Sequence, residues 1–286
     1  MRSNLGYIAA ETLEMALHAL SGGDVGVIAG GTDWFPALGD KPAPGTILDV
    51  TGIPGFRGIN RTDSGWHIGA ATRWSDIVAA DLPPGFDGLK AAAREVGSVQ
   101  IQNAATIAGN LCNASPAADG VPPLLTLDAR IEVASLSGSR NVPLAEFITG
   151  VRTTSLRPGE LVTGLSIPDL PTRTGASFVK LGARKYLVIS IAMVSAIINL
   201  DDKDIVSLAR VAVGACSPVA QRLGKLEEAL LGLPACELDS RTLPIKPFLS
   251  PLAPIGDVRG SAEYRMEVTA DLCRRAIASA AARAHG

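Results

Sequence analysis

Val27-Ile28-Ala29-Gly30-Gly31-Thr32-Asp33 and, further along the chain, Thr106-Ile107-Ala108-Gly109-Asn110-Leu111-Cys112-Asn113-Ala114-Ser115-Pro116-Ala117-Ala118-Asp119 are the two stretches on which the reading turns. In the first, a short apolar run stops at two adjacent glycines. Gly30-Gly31 permits a tight turn with positive φ, and it lets backbone N–H groups approach an anion closely enough to form a nest. Thr32 adds a hydroxyl donor. The stretch is neither a Walker loop nor a G-x-G-x-x-G fingerprint, and strand-Gly-Gly-Thr-Asp is also a common turn. In the second, Thr106, Asn110, Asn113 and Ser115 crowd hydrogen-bonding side chains around Gly109, while Ile107, Leu111, Ala114 and Ala117 imply that this backbone is packed. A packed loop satisfies its polar groups internally or aims them at a ligand. Asp119 is placed either to accept from a sugar hydroxyl or ring N–H, or to cap a helix expected around Pro122. Neither loop carries the lysine that phosphoryl transfer needs alongside Mg²⁺ ligands. Two separated Gly/Thr loops suit a diphosphate held by backbone and hydroxyls: a bound dinucleotide whose kind the residues leave open.

Outward from these loops the chain reads as α+β. Leu13, Ala16, Leu17 and Leu20 recur at helical spacing, with Thr12 to cap the helix and Gly22-Gly23 to end it. Short apolar runs at 25–29 and 47–50 read as strands, so residues 1–57 form a small α/β unit. Residues 58–170 form a second, α+β unit, with strands at 66–70, 131–134 and 161–167 and helices at 75–80, 89–96 and 122–127. Residues 102–119 lack periodicity and read as loop. The Pro- and Thr-rich stretch 168–175 reads as a linker. Beyond it, strands at 176–181, 190–199 and 205–215 are expected to make a three-stranded antiparallel sheet, the last two joined by a turn at 201–204. Helices at 224–231, 239–249 and 262–284 complete a third unit, 176–286.

Composition excludes several classes of function. The net charge of -2 and the absence of a Lys/Arg run point away from nucleic acid, and 4% aromatic residues are too few for a base-stacking platform. The longest apolar stretch, 187–200, is interrupted by Ser190, Ser195 and Asn199 and is too short to span a membrane. No secretory signal opens the chain. Cys112, Cys216, Cys236 and Cys273 lack cluster spacing, and His18, His67 and His285 stand apart, so neither an iron-sulfur nor a metal site is expected. The cysteines read as reduced thiols of a cytoplasmic protein. Charged residues make up 19%, below the roughly 25% of ordinary soluble domains, and mean hydropathy is +0.26. Both fit a surface partly covered by partners, or simply an Ala- and Gly-rich bias.

In order and spacing, the two quoted stretches resemble the FAD-binding medium subunit of molybdenum hydroxylases, the class of xanthine dehydrogenase, aerobic carbon monoxide dehydrogenase and 4-hydroxybenzoyl-CoA reductase. The resemblance continues through Pro143-Leu144-Ala145-Glu146-Phe147, Glu160-Leu161, Lys180-Leu181-Gly182-Ala183-Arg184 and Gly260-Ser261-Ala262-Glu263-Tyr264-Arg265, and covers essentially the whole chain. It implies a flavoprotein fold of the vanillyl-alcohol-oxidase type, in which two subdomains grip the FAD diphosphate and a C-terminal domain closes over the flavin. On that resemblance Val27, Ile28, Ala29, Gly30, Gly31, Thr32 and Asp33 supply the first cofactor loop. Thr106, Gly109, Asn110 and Asn113 supply the second, with Asp119 nearby. Val162 and Lys180 approach the FAD, and Ile189 lies against the isoalloxazine ring. Read without the resemblance, Lys180 is a surface strand lysine and Ile189 a core residue. Two positions depart from the family pattern: Ala108 stands where a glycine is usual, and Gln102 where an arginine is common.

The activity so implied is electron transfer. A large partner subunit would carry the molybdenum cofactor, and a small one the 2Fe-2S clusters. This chain would hold FAD non-covalently, having no His or Cys placed for attachment, and would pass electrons to a terminal acceptor such as NAD. No catalytic residue is assigned to the chain itself. The alternatives are a self-contained flavin oxidase, which would need its own general base, and a non-catalytic scaffold subunit.

Overall fold

A computed structural model describes residues 6–41, 43, 45–185, 187–238 and 243–285. Its first layer is a three-stranded parallel sheet of β1 (Gly6–Ala9), β2 (Val25–Ile28) and β3 (Thr46–Asp49), in the order β1-β3-β2. Parallel neighbours need a crossover, and the helix Leu13–Ser21 takes part in it. Thr12 caps that helix by accepting from Met15 N, and Ala16 and Leu17 are buried.

The second sheet is antiparallel throughout. It comprises β4 (Ile59–Thr62), β5 (Gly65–Gly69), β6 (Arg130–Ser135) and β7 (Gly138–Pro143). The small hairpin of β8 (Ile148–Gly150) and β9 (Thr153–Thr154) stands apart from it, and β10 (Leu161–Pro168) returns to its centre, giving the order β4-β5-β10-β6-β7. The fully buried Trp74, Ile77, Leu89, Leu124 and Ile131 belong to one core under this sheet.

The third sheet holds β11 (Thr174–Leu181), β12 (Ala192–Leu200), β13 (Val206–Gly214) and β14 (Gln221–Arg222). The helix Ala262–Ala284 packs on β11 and β12, while the helices Asp87–Glu95 and Val121–Thr126 meet the same sheet. Every residue of β12 is buried. Its alternate residues Ala192, Val194, Ala196 and Ile198 enter the C-terminal core, whereas Ile197 enters the core of the second sheet. That is the period of two of a strand covered on both faces. Buried hydroxyls are satisfied along the contact: Ser177 Oγ donates to Ala276 O at 2.6 Å, Ser195 Oγ to Ser177 O at 3.1 Å, and Thr126 Oγ lies 3.1 Å from Ser195 Oγ.

Three expectations need correction. The C-terminal sheet has four strands, because Gln221–Arg222 adds a short edge beside β13. The stretch 102–119 contains the helix Ile107–Asn113: Thr106 caps it, Ile107, Ala108 and Leu111 form a buried stripe, and left-handed Ala114 ends it. The expected helix at 239–249 does not form in its described part. A short helix occupies Ala235–Leu238 and a 3₁₀ turn Lys246–Leu249, with residues 239–242 outside the described set. Pro244 and Pro247 remove the donors a continuous helix would use.

Gly175, on β11, marks the closest approach of sheet and C-terminal helix. A Cβ there would collide with the Ala280 carbonyl and come within 2.8 Å of Arg283 C, both backbone atoms that cannot swing away. Gly175→Ala is expected to cost about 1–3 kcal/mol, as overpacking does, seen as a lower denaturant midpoint at unchanged slope. Gly224→Ala, with nothing within 4 Å of the added carbon and a helical site that favours alanine, is expected to be neutral or mildly stabilising.

Candidate functional site

The two glycine loops meet. Gly30 lies so close to Ala104–Ala105 that a Cβ on it would collide with the Ala104 carbonyl and sit 2.8 Å from Ala105 Cα. Ala105 leads directly into Thr106, so this contact sets the first loop beside the second. Gly31 supplies the turn with φ +66, and a Cβ there would lie 2.7 Å from the Phe35 ring. Between the loops is a cleft of about 360 Å³. Val27, Ile28, Ala29, Gly30, Gly31, Thr32 and Asp33 line one side, and Thr106, Gly109, Asn110 and Asn113 the other.

The donors facing the cleft come mainly from the first loop. In the helix Ile107–Asn113, Ile107 N donates to Thr72 O at 2.9 Å, Ala108 N to Ala70 O at 3.2 Å and Gly109 N to Thr106 Oγ1 at 3.1 Å. By contrast, the N–H groups of Gly31, Thr32 and Asp33 donate to no acceptor among the described residues. Asp33 begins the short helix Trp34–Leu38 but makes no side-chain cap. Asn110 and Trp74 line the same cleft, and their Oδ1 and Nε1 atoms are buried without a partner among the described residues. Free N–H donors, a turn that excludes a Cβ and two orphaned polar atoms fit the diphosphate and sugar of FAD.

Both departures from the family pattern are accommodated. Ala108 sits in a right-handed helix and its methyl is packed in the core, so the glycine usual there is not needed. Gln102 Nε2 donates to Arg94 O at 3.0 Å, a neutral bond within the chain.

A second cleft, of about 320 Å³, adjoins the first where Arg152 meets Asn113. Ser115, Pro116 and Ala117 line it, with Ile189 and Ser190 opposite. Ile189 is 53% exposed, which rules out simple core packing. Asp119 caps no helix: Gly120 stands at the cap of Val121–Thr126. Instead Asp119 Oδ2 accepts from Lys180 Nζ at 2.7 Å and Oδ1 from Ser190 Oγ at 2.6 Å. Burial pushes the Asp119 carboxyl above its usual range, and the Lys180 ammonium pulls it partly back. Lys180 is thus a buried strand lysine, its side chain 6% exposed, and it also reaches Glu95 O at 3.4 Å. Val162 lies in the core on β10 and its side chain lines neither cleft. Trp74 and Arg152 are cleft residues that sequence reading missed. Trp74 lies just before the helix expected at 75–80 and carried no signal of its own, and nothing marked Arg152 as left-handed at φ +56.

Because the Asp119–Lys180 pair is buried, removing one partner strands the other charge. Lys180→Met is expected to destabilise the chain by about 3 kcal/mol, and Lys180→Met/Asp119→Leu by clearly less. Chemical denaturation of the wild type, both single variants and the double variant measures this. A double variant at least as unstable as the sum of the singles would contradict it.

With this geometry in place, comparison with known proteins is unambiguous. Residues 3–170 match the FAD binding domain in molybdopterin dehydrogenase, and residues 177–280 the CO dehydrogenase flavoprotein C-terminal domain. The chain is 32% identical to the 6-hydroxypseudooxynicotine dehydrogenase complex subunit alpha of Paenarthrobacter nicotinovorans, over 97% of this chain and 95% of that protein. It is 30% identical to the xanthine dehydrogenase FAD-binding subunit of Escherichia coli O157:H7, over 98% and 97%. Among solved structures it resembles reconstituted CO dehydrogenase from Oligotropha carboxidovorans, with TM-score 0.89, 25% identity and 99% of each chain covered. A cleft shaped by two glycine loops and family matches along nearly its whole length lead to one conclusion: the chain belongs to the FAD-binding medium subunits of the molybdenum hydroxylases and is an FAD-dependent oxidoreductase subunit.

Proposed function

We propose that this chain is the flavin-bearing electron-transfer subunit of a three-subunit complex. It would receive electrons from the 2Fe-2S clusters of a small subunit and deliver them to a terminal acceptor such as NAD⁺. Substrate oxidation would take place at the molybdenum cofactor of the large subunit. The relatives are named for different substrates, among them 6-hydroxypseudooxynicotine, xanthine and CO, which supports a substrate pocket on another chain. We place the complex in the cytoplasm and assign residues 1–57 and 58–170 to the two cofactor-gripping units and 176–286 to the unit that closes over the ring.

The observation that carries this reading is the packing of Gly30 on Ala104–Ala105, which sets two loops with complementary donors around one cleft. In our reading Gly31, Thr32 and Asp33 present N–H groups to the diphosphate, and Thr106 holds the facing helix in place. Asn110 and Asn113 meet the sugar-phosphate chain. Ile189 offers an aliphatic face to the ring, and Ser115–Ala117 border it. Asp119 and Lys180 act chiefly on each other, fixing Ser190 and with it the neighbouring Ile189. Val162 backs the site from the core. When bound, FAD supplies two-electron chemistry with either hydride or one-electron partners, and the chain binds, orients and shields it. Among the described residues of the second cleft the one carboxylate, Asp257, is shared by Arg259 and Arg265, so it is not free to act as a general base.

Two experiments test this. Acid precipitation of the purified chain is expected to release one FAD into the supernatant. Gly31→Val is expected to abolish most FAD occupancy in a folded protein, because valine resists φ +66 and would strike Phe35. Full occupancy in that variant would remove the first loop from the site. In the second, the isolated chain is assayed against N-heterocyclic and aldehyde substrates, then again with the large and small subunits. Turnover is expected only in the mixture, and equal turnover by the chain alone would make it a self-contained oxidase.

A further inference from the structure

Arg152 stands in the turn between β8 and β9, in the left-handed region at φ +56. Its N–H donates to Ala114 O at 2.9 Å, and Ala114, which ends the helix Ile107–Asn113, is also left-handed at φ +47. Left-handed backbone is unfavourable for a residue with a Cβ. Here two such residues are bonded to each other at the meeting point of the two clefts.

The side chain continues the contact. Arg152 Nη1 donates to Asn113 Oδ1 and, at 3.3 Å, to Asn113 O. A guanidinium has donors only. The amide oxygen of Asn113 therefore faces Arg152, which leaves its NH₂ group for the first cleft, whose wall Asn113 forms. Arg152 itself lines the second cleft together with Ile189. The other two arginines of that cleft, Arg259 and Arg265, share Asp257. No carboxylate among the described residues pairs with Arg152, so none of them neutralises its charge.

We propose that Arg152 is a positioning residue for the flavin cofactor: it turns the Asn113 amide so that its NH₂ donates to the diphosphate, and it sets an unneutralised positive charge beside the ring. The second half rests on the siting of the ring against Ile189 given above. Two electrons and one proton convert the ring to its reduced anion, and a second proton from solvent neutralises it. A fixed cation favours the anion, which raises the midpoint potential and makes reduction consume one proton per two electrons.

The test uses the full chain with Arg152→Gln, Arg152→Lys and, separately, Ile189→Trp. Circular dichroism of the apoproteins confirms folding. Titration of apoprotein with FAD is expected to show Arg152→Gln binding about tenfold more weakly, the scale of one lost hydrogen bond to a charged group. Its midpoint potential is expected to fall, and its pH dependence to shift toward two protons per two electrons. Arg152→Lys keeps the charge and is expected to restore the potential and its pH dependence. Unchanged affinity and potential in Arg152→Gln would overturn the proposal. So would weakened affinity with an unaltered potential, since that is what a residue holding only the hairpin would give, and so would a potential that lysine fails to restore. Ile189→Trp reads the siting of the ring on its own. Tryptophan against the ring is expected to quench flavin fluorescence, and unchanged fluorescence and visible bands would refute that siting whatever the Arg152 variants do.

Discussion

The close contact of Gly30 with the Ala104 carbonyl is the constraint on which the rest of the site depends. It ties a loop of the parallel sheet to the segment that enters the helix Ile107–Asn113. No side chain larger than hydrogen fits between them. Once this contact is made, Gly31, Thr32 and Asp33 line the same cleft as Gly109 and Asn110. The helix facing them spends its own first-turn donors on Ala70 and Thr72 carbonyls, which anchor it to the strand–turn region before Trp74. The N–H groups without an acceptor among the described residues are thereby concentrated in one loop, and the opposite wall provides shape and a few amide groups.

Much of this was legible in the residues. The first loop announced itself by Gly30-Gly31 after an apolar run, because only glycine tolerates both the turn and the close approach. The helix at Ile107–Asn113 was hidden by its composition: Asn, Gly and Ala are poor markers of periodicity, and seven residues hold too few apolar positions to stand out. Its signal was there in Thr106 three residues before Gly109 and in the spacing of Ile107 and Leu111. The four-residue strand Gly6–Ala9 and the two-residue strand Gln221–Arg222 carry almost no periodic signal and are fixed by their neighbours. Asp119 could be flagged as special, but its partners lie far off in sequence on β11 and just before β12. Only the fold brings Lys180 and Ser190 to it. The left-handed states of Ala114 and Arg152 left no trace, since neither residue type favours them.

The buried pair of Asp119 and Lys180 spans the two halves of the chain. An ion pair removed from water seldom adds net stability, but it penalises any arrangement in which the partners separate. Here it marks one relative placement of the C-terminal sheet as the only one that leaves neither charge stranded. Ser190, on the other oxygen of Asp119, extends that registration to the segment bearing Ile189. The pair acts as a key between the two surfaces, together with the Thr126–Ser195 contact and the pairing of Asp128 with Arg210 and Arg222.

The strand β12 gives this architecture a further property. Its side chains serve the C-terminal core on one face and the core of the second sheet on the other. The family boundary near residue 170 looks like a convenient place to divide the chain. A fragment ending there would leave the helices Asp87–Glu95 and Val121–Thr126 with the faces that meet β11–β13 bare to water. The complementary fragment would carry a sheet wet on the side that bears Ala176, Ile197 and Ala212. The two halves are therefore a single inheritance unit: gene shuffling that separates them yields two sticky pieces, whereas exchange of the whole chain between complexes keeps every apolar face covered.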